Sequence, residues 1–217
     1  MSERMIEILG TGILESLYMT VISTLFAYMF GIPLGVILYI TDKKGICHNQ
    51  IINFIIGVTV NMIRSVPFLI LLVALLPLTK FIVGTTIGST ATIVPLVIAS
   101  APFVARMVEA SLKEVDFGVI EAAKAMGSST LQIIFKVLLP EAKPSLLVGC
   151  TISLATILSY SAMAGFVGGG GLGAIAINYG YYRYQSDIMW VTVVLLVVIV
   201  QLFQEIGLKL VSKTDKR

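Results

Sequence analysis

Hydrophobic residues in this chain run in long blocks, not in the short alternations of a water-soluble fold. Five blocks, at about 13–40, 51–76, 87–108, 145–167 and 188–210, each reach the ~20 apolar residues that carry a helix across a bilayer. They predict five membrane-spanning helices, with Gly31, Pro33 and Gly35 inside the first and kinks at Pro95 and Pro102 in the third. Between the third and fourth blocks lies the one long polar interruption, 106–143. Its pattern predicts two short helices joined at Met126-Gly127-Ser128-Ser129. Val119, Ile120, Ala123 and Met126 fall near the i, i+4, i+7 spacing of one packed face. Glu109/Lys113 and Glu121/Lys124 are spaced to pair along the helix surface. Gly127 suits the left-handed residue that ends a helix. Ser129 with Gln132 makes a capping box for the next one, and Pro140 and Pro144 are expected to close it.

Composition turns this pattern into a class. The chain has 217 residues, is 57% hydrophobic and only 12% charged, whereas a soluble domain is about one quarter charged. The reading is a single-domain, all-α integral membrane protein over residues 1–217. Met1–Gly12 lacks the basic start and small-residue cleavage site of a signal peptide and is read as part of the mature protein. A net charge of +3 does not argue for a nucleic-acid partner; its distribution matters more. Eleven Lys and Arg fall in the loop at Lys43, the stretch 106–143 and the C-terminus, against three at Arg4, Lys80 and Arg183. The positive-inside rule then places the first group in the cytoplasm and the N-terminus outside, which an odd number of spans requires. Cys47 and Cys150 fall in a polar loop and an apolar block, so they are not expected to pair, and His48 is given no role.

The polar stretch carries a motif. Glu121-Ala122-Ala123, Gly127, Val137 and Leu139-Pro140 stand at the spacing of the EAA motif, and the chain resembles the binding-protein-dependent ABC importer permeases in it. The usual motif has Ile where this chain has Val137. The resemblance implies a type I ABC importer permease fold. Loop 109–143 would be a cytoplasmic coupling helix pair inserted into a groove of an ATPase subunit. It also implies ATPase contacts at Glu121, Ala122, Ala123, Gly127, Val137, Leu139 and Pro140.

Carboxylates are absent from 16–41, 51–80, 86–108, 144–186 and 188–204. An ion-coupled carrier usually places an ionisable group or a broken helix at mid-membrane, so this absence weighs against an ATP-independent carrier. Arg64 is the exception, because the apolar run 65–76 is too short to cross alone and the second span must include it. With Ser65 and a break at Pro67 it reads either as a cation lining a cavity or interface, or as a polar anchor at the helix end. Gly168, Gly170 and Gly173 satisfy G-x-G-x-x-G, but no strand precedes them, so a dinucleotide site is rejected.

Three further segments, 65–88, 101–112 and 159–173, look like the methionine-uptake ABC permeases. That resemblance covers nearly the whole chain, including the count of five spans. It implies a multi-pass homodimer in the bacterial plasma membrane, two ATPase subunits below and an extracytoplasmic substrate-binding (lipo)protein above. The implied cargo is L-methionine, with D-methionine possible, and the gate maps onto Tyr160, Ser161 and Met163. The chain contains no phosphate-binding loop, so ATP and Mg are expected on the partner and no cofactor on this subunit. Alternatives are the same architecture carrying another small amino acid or metabolite, and, further off, a carrier or a membrane enzyme.

Overall fold

The structure, a computed structural model, describes residues 3–214. Lys216 and Arg217, which entered the charge count, lie outside the described residues. The chain is helical nearly throughout, with no strand among the described residues. Helix α1, Glu3–Thr41, begins ahead of the apolar block at residue 13. Its 39 residues span about 58 Å, more than the ~30 Å hydrocarbon core. Helix α2 covers Gln50–Ser65, α3 Phe68–Ala74, α4 Leu76–Val83 and α5 Ser89–Lys113. The polar interruption forms α6, Phe117–Ala125, α7, Thr130–Ile133, and α8, Leu139–Glu141. Helix α9, Lys143–Ala164, α10, Gly171–Ile175, and α11, Ser186–Thr214, complete the chain.

Four runs are long and apolar enough to cross a membrane: α1, α5, Lys143–Tyr181 and Ser186–Lys213. The fifth is broken. The block at 51–76 is not one straight helix, because α2 and α3 meet at 102°. The cause is local: Pro67 cannot donate to the α2 ladder, and Val66 before it is extended at φ −82°, ψ 127°.

Small residues bring α1 against α5. A Cβ on Gly31 would lie 2.5 Å from Val104 Cγ1, and one on Gly35 2.5 Å from the Ala105 carbonyl. Such approach supplies the van der Waals contact that drives helix association in lipid. The core around this seam includes Met19, Ala27, Leu96, Val104, Val108 and Ile157, all essentially inaccessible. A second cluster, with Leu9, Leu158, Leu172 and Ile199, packs α10 and α11 onto α1 and α9.

Pro140 and Pro144 do not close the second helix of the polar stretch. The chain stays helical from Thr130 almost without interruption into α9, through a widened turn at Ile134–Leu138. Leu139 N–H bonds the Ile134 carbonyl, five residues back, and this wider turn accommodates a Pro140 ring that can neither donate nor approach a normal i−4 carbonyl.

Candidate coupling surface and gate

The hairpin of the polar stretch is built by its caps. Asp116 Oδ1 accepts the Gly118 N–H at 2.6 Å and opens α6. The helix ends in a Schellman motif: Gly127 sits at φ 80°, its N–H bonds the Lys124 carbonyl at 2.9 Å, and Ser128 N–H bonds Ala123 at 3.1 Å. The capping box then forms, with Ser129 N–H donating to Gln132 Oε1 at 2.8 Å and Gln132 N–H to Ser129 Oγ at 3.4 Å. The bonds that set the corner between the two helices are thus all local to it.

Ile120, Ala123, Ile133, Ile134 and Leu138 turn inward and join the main core. Val119 and Met126, expected on that packed face, are exposed instead, Met126 by 79%. Helix α6 stops at Ala125, so Met126 lies beyond its last turn, and Val119 is rotated about 100° from Ile120. With Phe117, Leu131 and Phe135 they form an outward apolar surface on the hairpin. Of the motif residues, Ala123 is buried, Val137 and Leu139 are half-buried against the core, and Glu121, Ala122, Gly127 and Pro140 are exposed. Glu121 and Lys124 make no ion pair among the described residues.

A charge cluster anchors the root of this hairpin. Glu109, whose side chain is 9% exposed, accepts Arg106 Nη1 at 2.6 Å and Lys113 Nζ at 2.8 Å. Lys113 reaches on to Asp42 at the end of α1, at 3.1 Å. Arg106 Nη2 donates to the Gly57 carbonyl at 3.2 Å and to Asn61 Oδ1 at 3.0 Å, both on α2. Three helices are therefore tied where the hairpin leaves the bundle. The Lys43 backbone N–H, at 2.7 Å, and then Lys113 hold the Asp42 carboxyl below the usual carboxylate range. Sequence reasoning noted the Glu109–Lys113 spacing but missed Arg106 and Asp42. Arg106 stands three residues before the first carboxylate after a carboxylate-free span, a signal that could have found it.

At the other end of α9 stand the predicted gate residues. Tyr160 stacks flat on Phe68, with centroids 4.5 Å apart and planes 4° from parallel, so α9 meets the chain just past the Pro67 break. Ser161 is buried and its hydroxyl donates to the Leu158 carbonyl at 2.8 Å. Met163 is half-exposed. Arg64 is exposed in the last turn of α2, with no ion pair among the described residues. Beyond α9 the glycine run is not slack. Gly168, Gly170 and Gly171 take φ of 82°, 82° and 69°. Gly171 N–H donates to Glu15 Oε2 at 2.6 Å and Leu172 N–H to Ser16 Oγ at 2.9 Å, pinning the run to α1. From α5, Thr92 Oγ1 donates to the Gly169 carbonyl at 3.2 Å.

An all-helical bundle with four apolar runs long enough to cross a membrane, a further run broken at Pro67 and a capped hairpin between α5 and α9 is the architecture of a multi-pass membrane subunit. Residues 31–212 match the family described as the binding-protein-dependent transport system inner membrane component, and the chain belongs to that family. The probable D-methionine transport system permease protein MetI of Vibrio cholerae is 55% identical over 211 residues, covering 97% of this chain and 94% of the relative. The methionine import system permease protein MetP of Bacillus subtilis is 48% identical, covering 83% of this chain and 82% of its own length. A chain of an inward-facing structure of the MetNI methionine ABC transporter superposes with a TM-score of 0.98 at 47% identity, over 100% of both chains. An amino acid ABC transporter solved with histidines, at 19% identity and a TM-score of 0.80, shares the fold.

Proposed function

We propose that this chain is the membrane-spanning subunit of an ATP-driven methionine importer. The observation that carries the reading is the capped hairpin, with its outward Phe117, Met126, Leu131 and Phe135, in a chain whose near-full-length relatives are methionine permeases. Two copies pair in the plasma membrane. Two copies of a separate ATPase hold ATP and Mg below, and an extracytoplasmic binding protein delivers L- or D-methionine above. The subunit performs no chemistry of its own. The hairpin, the Lys43 loop and the C-terminus face the cytoplasm, and the N-terminus lies outside, as the excess of Lys and Arg favours.

In this reading, Glu121 through Pro140 seat in the ATPase, and closure of the ATPase pair moves the hairpin as one piece because both of its helices are capped at a fixed corner. The Glu109 cluster passes that displacement to α1 and α2. Tyr160, through its stack on Phe68, moves with the broken span, and Met163 with Arg64 lines the path on the dimer axis. Ligand and nucleotide are then linked through two global states of one bundle.

The test is methionine uptake in cells stripped of their own importers, with this subunit alone and then with its ATPase and binding protein. Uptake only with all three, abolished when ATP hydrolysis is blocked, is the expected result. Uptake by the subunit alone overturns the coupling assignment. Failure of the assembled complex to move methionine leaves the architecture and changes the cargo to another small amino acid or metabolite.

A further inference from the structure

Beside the hairpin root, the turn after α1 flanks a cleft of about 430 Å³, in which Lys43 and Lys44 have no part in the transport reading. Lys43, Lys44 and Lys113 line it, with Tyr39 on one wall and Phe117 on another. Its one lining carboxylate, Asp42, is already engaged by Lys113 at 3.1 Å and by the Lys43 N–H at 2.7 Å. Lys43 and Lys44 are exposed and have no ion pair among the described residues. The cleft thus presents two uncommitted ammonium groups at the point where α1 ends and the chain leaves the apolar slab. Just past the same turn, Ile51 and Phe54 at the start of α2 are exposed by 72% and 69%. Ammonium groups in the cleft and apolar surface at the start of the next helix are what a phospholipid needs, its phosphate on the first and its acyl chains against the second. Basic pockets between membrane helices at the cytoplasmic surface hold anionic headgroups for this reason.

We propose that this cleft binds the headgroup phosphate of an anionic membrane phospholipid, and that the bound lipid steadies the coupling hairpin. Lys113 and Phe117 make the link, because one closes α5 and the other opens α6. The inference rests on the orientation proposed above, which puts the cleft in the cytoplasmic leaflet.

The experiment uses the complete permease–ATPase complex in nanodiscs holding equal phosphatidylglycerol and phosphatidylcholine. Lipid retained after release is read by native mass spectrometry, and ATP hydrolysis per methionine transported is read in liposomes of the same lipids. Wild type is expected to retain phosphatidylglycerol preferentially. The double variant Lys43→Gln/Lys44→Gln is expected to lose that preference several-fold and to hydrolyse more ATP per methionine. Equal retention by wild type and variant overturns the proposal. So does displacement of the lipid by millimolar inorganic phosphate, which would make a free anion the ligand. Weaker assembly of the variant with the ATPase in phosphatidylcholine alone also overturns it, by placing the lysines against the partner. Lipid preference is read without transport, so a complex that keeps it but moves no methionine fails the importer reading alone.

Discussion

At the scale of single residues, two positions carry the hairpin and they act in different ways. Gly127 is held at φ 80° by the bonds that end α6, and no atom lies within 4 Å of where its Cβ would stand. The constraint is therefore backbone conformation, not space. A β-branched residue is the worst occupant of that region, at a cost of about 1–2 kcal/mol. Gly127→Val is expected to leave the protein in the membrane while uncoupling ATP hydrolysis from uptake, and wild-type uptake by that variant refutes the rigid-corner argument. Glu109 is constrained by charge. Glu109→Gln keeps the shape but leaves Arg106 and Lys113 facing each other without their shared carboxylate. Both cations reach solvent in part, so the loss is about 1–3 kcal/mol and not the larger penalty of a fully buried pair. A fall of several degrees in the melting temperature of the detergent-solubilised protein is the expected measurement.

Elements were legible in proportion to how local their causes are. The hairpin corner could be read because Gly127, Ser129 and Gln132 act within a few residues of themselves. In the second span the break at Pro67 could be read but not its size, because an apolar run looks the same straight or folded at 102°. Helical continuation past Pro140 was missed because a widened turn absorbs a proline that a regular helix would reject. The Asp42–Lys113 tie joins residues far apart in the chain, so no spacing rule reaches it. The α1–α5 seam was half-visible: Gly31 and Gly35 stood out, but not what they face. Gly35→Val places a Cβ against the Ala105 carbonyl and the Val108 side chain, which forces the two longest-packed helices apart. Overpacking of this kind costs about 1–3 kcal/mol. Reduced expression and a lowered melting temperature are expected, with Gly10→Val, whose Cβ meets nothing, as the neutral control.

At the scale of the whole molecule, the coupling assignment stands or falls with orientation, and the chain contains its own reporter. It has two cysteines, and neither is in a disulfide. Cys47 is exposed on the turn after α1, with its sulfur 3.6 Å from Thr130 Oγ1 on the hairpin, so turn and hairpin share one side of the membrane. Cys150 is half-buried within α9, inside a membrane span. A membrane-impermeant maleimide should therefore label the protein at Cys47 in inverted vesicles and leave it unlabelled in intact cells, with Cys47→Ser abolishing the signal. Labelling in intact cells would put the turn and the hairpin outside, where no ATPase could reach them. Charge counting, the motif and the hairpin geometry would then all have to be reread together, because in this fold a single inversion moves every one of them.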